Sequence, residues 1–330
     1  MSAQPLVAIE GLTVDFLAGP KPVRAVAGLD LALAKGEVLA LLGESGSGKS
    51  VTLRALLRLL PARRTRIGGR IEVDGCDVTA LGRRALADFR GRTVSMIFQE
   101  PGLAFDPVYR VGDQIAEAVM RHEGVSRREG RQRALDLFER VRIPSAVRRL
   151  DNFPHEMSGG MRQRAMIALA LSCRPKVLLA DEPTTALDAT VQIQILLLLR
   201  ELQRELGLAV IFVTHDIGVA TEVADRIAVM YAGRIVEQGP CRAVIRAPAH
   251  PYTRGLLASR AGHVFSKGER LETIPGAPPD LTNLPPGCAF APRCAQARGA
   301  CNAGQPAELA AAPDHFARCV LLQETADAAA

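Results

Sequence analysis

Apolar and polar positions alternate from Val7 to Phe16, the period-two signature of a half-buried strand. Gly19, Pro20 and Pro22 mark a turn, and alternation resumes over Leu29–Leu33. After Lys35-Gly36-Glu37 the pattern changes. Val38–Leu42 is apolar at every position, which predicts a strand buried on both faces. Val177–Ala180 and Leu208–Val213 carry the same signal. Helices are predicted over Val51–Leu60, ended by Pro61, over Thr190–Leu206, ended by Gly207, and over Ile217–Val223. Residues 112–172 read as mostly helical and 70–100 as strands and loops. Ile227–Tyr231 and Arg234–Gln238 read as a hairpin about Ala232-Gly233. Apolar strands alternating with helices predict an α/β core with a largely parallel sheet. No internal repeat is visible.

After about residue 245 the periodicity fades and proline becomes frequent (Pro248, Pro251, Pro275, Pro278, Pro279, Pro285, Pro286, Pro292). This predicts a core domain over 1–245, a separate C-terminal region over 246–322 and a disordered end at 323–330. The 330 residues, 48% of them hydrophobic, leave room for one large domain and an appendage. A net charge of +6 permits an acidic partner. The short arginine clusters at 63–66 and 127–133 read as solvated faces and loops. Tryptophan is absent and aromatics are 4%, which argues against base-stacking surfaces. No apolar run approaches the roughly 18 residues of a spanning helix. Met1–Glu10 lacks the form of a signal peptide, so the chain is expected to stay in the cytoplasm.

Chemistry enters at the end of the first buried strand. Gly43-Glu44-Ser45-Gly46-Ser47-Gly48-Lys49-Ser50 fits the phosphate-loop pattern in full, with a strand before it and a helix after. Gly46 and Gly48 open backbone conformations closed to other residues, so successive N–H groups can turn inward on phosphate oxygens. The following helix adds its positive end. Lys49 is expected to reach the β- and γ-phosphates and the Ser50 hydroxyl to ligate Mg²⁺. A second buried strand, Val177–Ala180, ends in two carboxylates. Asp181 stands where a Mg²⁺ partner is needed, and Glu182 where water is polarised for attack.

Met157-Ser158-Gly159-Gly160-Met161 opens another helix, with Ser158 as N-cap and two glycines that let backbone approach a phosphate. A chain with one phosphate loop gains from a second anion-binding helix end if that end serves the nucleotide of a facing subunit. The segment resembles the signature sequence of ABC ATPases, usually Leu-Ser-Gly-Gly-Gln; Met157 and Met161 depart from it. The departure at 161 removes a side-chain amide, but not the contacts from Ser158, Gly159 and Gly160. The resemblance covers about residues 7–245. It implies a P-loop NTPase core with a RecA-like sheet, an antiparallel β subdomain and an α-helical signature subdomain at about 105–172. It further implies ATP on Gly43, Glu44, Ser45, Gly46, Ser47, Gly48, Lys49, Ser50 and Val51, with Phe16 stacked on adenine. Mg²⁺ falls to Ser50, Gln99 and Asp181, and catalysis to Glu182, His215 and Gln99. Asp188, in Ala186-Leu187-Asp188, belongs to a loop that communicates across the dimer.

A narrower resemblance lies further on. His250-Pro251-Tyr252-Thr253-Arg254, Ile274-Pro275-Gly276-Ala277-Pro278-Pro279 and 284–294 look like the C-terminal region of dipeptide, oligopeptide and nickel importer ATPases. That implies ATP-driven uptake of peptides or a related solute. The implied partners are two membrane-spanning permease subunits, a second ATPase subunit (a paralogue or a copy) and, indirectly, an extracytoplasmic solute-binding protein. The implied site is the cytoplasmic face of the inner membrane, with no nucleic acid expected.

Of seven cysteines, Cys288, Cys294, Cys301 and Cys319 fall close together. Four thiolates suit an iron–sulfur cluster or tetrahedral zinc. The absence of a Cys-x-x-Cys pair weakens zinc, the resemblance favours [4Fe–4S], and thiols that hold no metal are the third reading. Two other readings stay open. One is an ABC-type ATPase acting on nucleic acid or ribosomes, against which stands the lack of a second ATPase half or a heptad run. The other is a metal-storing or redox module, against which stands the confinement of the cysteines to the tail.

Overall fold

The computed structural model describes residues 4–17, 19–185, 187–259 and 274–327. In chain order the elements begin with β1 (Val7–Phe16), β2 (Val23–Leu33), β3 (Val38–Leu42), α1 (Lys49–Leu56), β4 (Thr65–Val73) and β5 (Cys76–Asp77). Next come α2 (Arg83–Arg92), β6 (Val94–Ile97), α3 (Val111–Glu123), α4 (Arg127–Arg140), α5 (Ala146–Arg149), α6 (Gly159–Leu171) and β7 (Val177–Asp181). Then follow α7 (Ala189–Leu206), β8 (Ala209–Thr214), α8 (Ile217–Val223), β9 (Arg226–Tyr231) and β10 (Arg234–Pro240). The chain closes with α9 (Cys241–Arg246), α10 (Pro251–Ala258), β11 (Leu309–Ala312), β12 (His315–Ala317) and α11 (Val320–Asp327). It clusters into two compact units, each built from separated stretches.

The first unit takes Met1–Leu6, Leu33–Glu37 and Val73–Phe212. Its strands run β8-β7-β6, with β6 and β7 parallel from Val94↔Val177 to Ile97↔Ala180. All five positions of β7 are buried, as its apolar run requires. The helices are bounded by sequence. Ser126 and Glu129 form a capping box at the start of α4, and Asp188 caps α7. Gly124 and Gly207, both left-handed, end α3 and α7. Helices α3 and α4 pack closely; a Cβ at Gly130 would lie 2.9 Å from the Ala116 carbonyl oxygen. The reading of 70–100 as strands and loops missed α2. Phe89 is its one buried residue, so it carries no apolar stripe, and its helical geometry breaks at Arg90 and Gly91.

The second unit takes Val7–Ala32, Val38–Glu72 and Val213–Ala330. One sheet is ordered β2-β1-β4. The other runs β11-β12-β10-β9-β3, with β3 parallel to β9 and β9, β10, β12 and β11 successively antiparallel. The expected hairpin turns at Ala232 and Gly233, both at positive φ. Helix α1 begins and ends earlier than its pattern indicated. Left-handed Gly48 starts it, and Arg58, at φ 49, breaks the chain just after Leu57, before Pro61.

The C-terminal region shares the core of this unit and adds to it only a small buried cluster of Ala291, Cys301 and Val320 among the described residues. Tyr252 and Phe290 join Leu42, Val229 and Tyr231 in one buried cluster, and β12 extends the sheet at β10. The expected packing boundary near 245 is therefore absent, because proline-rich chain donates aromatic rings to a core begun by β3 and β9. Its anchor is Glu237, fully buried in β10. The carboxylate accepts from the Ala249 N–H (2.7 Å) and the His250 N–H (2.8 Å), and stands 2.7 Å from His315 Nε2. His250 accepts the Tyr252 N–H at its Nδ1, and burial pushes its pKa down to about 4, so the ring is neutral near pH 7. The end expected to be disordered from 323 is helical as far as Asp327; residues 328–330 lie outside the described residues.

Candidate functional site

The phosphate loop opens where β3 leaves the sheet. Gly43 has φ 152, and a Cβ there would lie 2.2 Å from the Met230 carbonyl oxygen. Gly48 has φ 104, and a Cβ there would lie 2.4 Å from the Ala25 carbonyl oxygen. Glycine is required at both positions by space as well as by backbone angle. No side chain caps α1 at Gly48, so its first turn presents N–H groups with the positive helix end behind them. Ser45 and Gly46 are exposed, Ser47 is buried, and Ser50 and Val51 are half-buried. Lys49 is 5% exposed. Its ammonium donates to the carbonyls of Gly43 (2.7 Å) and Glu44 (2.9 Å), which holds it along the inside of the loop.

Glu44 differs from its neighbours. Its N–H donates to the Tyr252 hydroxyl at 2.9 Å, and its carboxylate takes two bonds from the Arg293 guanidinium, at 2.7 and 3.0 Å. It thus forms the wall of the loop, with its amide committed to the C-terminal region. Burial pushes the Tyr252 and Tyr231 hydroxyls above the usual phenol range. Phe16 is half-buried at the end of β1, and His215 is exposed directly ahead of Asp216, which caps α8.

In the first unit, Asp181 is the last residue of β7 and is 1% exposed. Glu182 follows at φ 45, a left-handed conformation uncommon outside glycine. Its carboxylate accepts from the Thr185 hydroxyl at 2.9 Å and from Gln99 Nε2 at 3.4 Å. Gln99, exposed just beyond β6, is thereby brought to Glu182.

Ser158 caps α6 by accepting the Met161 N–H at 3.3 Å, so residue 161 takes part through its backbone. Met157, where the signature usually has leucine, is buried at 3% exposure. Arg162 donates to the Met157 carbonyl at 2.7 Å and braces the turn. Gly160 faces α7: a Cβ would come 3.0 Å from Val191 Cγ1, one turn beyond Asp188, the N-cap whose Oδ1 accepts the Val191 N–H. The signature segment and the Asp188 loop thus meet. Ala186 lies outside the described residues.

Cys288, Cys294, Cys301 and Cys319 line one small cavity with His250 and Phe290. Burial raises the thiols of Cys288, Cys294 and Cys319 above their usual pKa. The donor set, sulfur without carboxylate, suits a soft thiolate-held group. Among the described residues, however, no three His, Cys, Asp or Glu side chains stand close enough together to hold a metal ion. The thiols are not drawn in to the spacing of tetrahedral zinc, which sits about 2.3 Å from each sulfur.

Sequence reasoning singled out the segments containing Tyr252 and Arg293 but assigned neither a role, and it passed over Thr185. No local spacing announces a pair 249 positions apart. Among the described residues no helix is long and apolar enough to cross a membrane.

Comparison with known proteins agrees with this geometry. Residues 26–185 match the ABC transporter family, and residues 236–301 match the family described as oligopeptide/dipeptide transporter, C-terminal region. A Brucella abortus (strain 2308) protein named for peptide import and ATP binding is 49% identical over 99% of this chain and 100% of its own length. A second protein of that strain, named likewise, is 48% identical over 93% of this chain and 92% of its own. Among solved structures, a dimeric ATP-binding cassette in a post-hydrolysis state with ADP and phosphate aligns with TM-score 0.64 at 29% identity. It covers 72% of this chain and 99% of the cassette. A Clostridium perfringens protein described as part of an ABC transporter complex aligns with TM-score 0.61 at 27% identity, covering 74% and 96%.

Proposed function

The chain belongs to the ABC transporter ATP-binding family, and from that premise we propose that it is the ATP-hydrolysing subunit of an importer for peptides or a related solute. The observation that carries this reading is the full-length likeness to peptide-import ATP-binding proteins, joined to a complete phosphate loop with Lys49 aligned inside it. The expected P-loop fold is the one that the solved cassettes share with this chain.

The proposed roles follow the chemistry of each residue. Lys49 and the N–H groups of 45–51 bind the phosphates, and Phe16 packs on the base. Ser50, Gln99 and Asp181 would hold Mg²⁺, which neutralises phosphate charge. Glu182, oriented by Thr185 and Gln99, accepts the proton of the attacking water, and His215 steadies the γ-phosphate. Ser158, Gly159 and Gly160 close on the ATP of the facing subunit, and Asp188 signals across that interface. Closure of two subunits completes each site and so couples binding to hydrolysis. Residues 1–245 carry this chemistry, with the helical segment 105–172 and the Gln99 loop passing the motion to the permease.

On this reading the protein sits at the cytoplasmic face of the inner membrane. It pairs with a second ATPase subunit and two permease subunits, and indirectly serves an external solute-binding protein. Affinity capture from membranes is expected to recover two multi-span proteins. Recovery of ribosomes or DNA in their place would favour the nucleic-acid alternative.

The same proposal includes an iron–sulfur cluster on Cys288, Cys294, Cys301 and Cys319: the four thiols open on one cavity, and binding the cluster would draw them closer together than they stand here. Such a group would supply a covalent brace to a proline-rich region rather than catalysis. Protein purified without oxygen is expected to be brown, with about four irons per chain for a [4Fe–4S] group. Colourless, iron-free protein under those conditions removes the cluster from the proposal.

A further inference from the structure

Glu44 places a carboxylate within a loop whose task is to hold polyanions. Coulombic repulsion from that charge opposes a bound triphosphate unless something neutralises it. The neutralising group comes from the C-terminal region. The Arg293 side chain is 6% exposed, and its two terminal nitrogens grip the two Glu44 oxygens at 2.7 and 3.0 Å. The rest of the fork is pinned from behind. Nε donates to the Pro275 carbonyl at 2.8 Å, Nη2 also reaches the Ile274 carbonyl at 3.5 Å, and Nη1 lies 3.4 Å from the Tyr231 hydroxyl. Donating to the Glu44 carboxylate raises the already high pKa of the guanidinium further.

The backbone of Glu44 is held as well. Its N–H donates to Tyr252, and its carbonyl accepts from the Lys49 ammonium at 2.9 Å. One residue is thus gripped on one side by the C-terminal region and on the other by the lysine that meets phosphate. Cys294, whose thiol lines the four-cysteine cavity, follows Arg293 directly.

We infer that Arg293, aided by Tyr252, is a positioning residue of the phosphate loop: it cancels the Glu44 charge and fixes the Glu44 peptide, making ATP affinity depend on the C-terminal region. This rests on the ATP-binding reading above. It gives 246–322 a part in the reaction, where a mere tether would act on stability alone.

The test is MgATP binding to the full-length chain, measured by displacement of a fluorescent nucleotide, with thermal melting in parallel. Arg293→Gln leaves the Glu44 carboxylate unpaired, and affinity is expected to fall about tenfold. In the assembled transporter KM for ATP should rise by a similar factor while kcat changes by less than about twofold. Adding Glu44→Gln removes the exposed charge and is expected to bring affinity back to within about threefold of the parent. Arg293→Lys, which keeps the charge but loses the fork, should fall between.

Parent affinity in Arg293→Gln overturns the inference, as does a loss that persists in the double variant at an unchanged melting temperature. Should Arg293→Gln fail to fold, Glu44→Gln alone decides. It is expected to bind ATP at least as tightly as the parent, and weaker binding counts against the inference. A parent chain that does not bind ATP removes the ATPase reading and this inference together. A parent that binds, beside an unaffected Arg293→Gln, removes this inference only.

Discussion

Glu182→Gln is expected to lower ATP hydrolysis by between about a hundredfold and ten-thousandfold, while ATP binding is retained. The substitution changes little else. Glutamine keeps an oxygen to accept from the Thr185 hydroxyl, now 2.9 Å from the carboxylate, and keeps the side-chain shape beside Gln99. What it loses is the ability to take a proton from water. Ligand that binds but is not turned over should keep two subunits closed on it, so the variant with MgATP should elute as a dimer where the parent elutes smaller. Single-turnover phosphate release and light scattering on the eluted species check both halves. Hydrolysis at the parent rate would show that Glu182 is not the base. The left-handed backbone of Glu182, at φ 45, is a further sign that the fold bears a local cost to aim this side chain.

The second large effect is expected from Lys49→Ala. The ammonium is buried to 5% exposure and bridges the carbonyls of Gly43 and Glu44. Alanine removes the one cation within the loop and leaves two carbonyl oxygens without that donor. ATP affinity should fall by more than about a hundredfold, since a charged hydrogen-bond donor to each of two phosphates is lost. The orphaned carbonyls cost about 1–3 kcal/mol each where water cannot replace the donor, so the melting temperature should also drop by several degrees. Equilibrium nucleotide binding and a melting curve in the same buffer separate the two. Parent affinity in a folded variant would remove Lys49 from the phosphate site.

How far the sequence announced all this differs from element to element. Val38–Leu42, Val177–Ala180 and Leu208–Val213 were legible because strands buried on both faces must be apolar throughout, and β3 and β7 are buried at every position. Helix α2 was illegible because it buries Phe89 alone. The signature segment could be read in spite of Met157 and Met161, since its cap and glycines act through backbone geometry. Fading periodicity after residue 245 marks a change of composition, and by itself says nothing of where that chain packs. Tyr252 and Phe290 instead fill the core begun by β3 and β9, which no pattern within 246–322 reveals.

Wherever the pattern is written in contiguous residues, the sequence by itself determined the local geometry: the glycines and lysine of 43–50, the carboxylates at the end of β7, the serine cap before α6. Backbone angles and helix ends are set within a few positions, and composition there is enough. Only the tertiary structure decided that Glu44 meets Arg293 across 249 positions and that Glu237 lies fully buried against His315. A chain with 35 acidic residues and 41 lysines and arginines offers far too many opposite charges for sequence to select one pair. The selection is made by packing, which brings a few of them together out of water and leaves the others solvated.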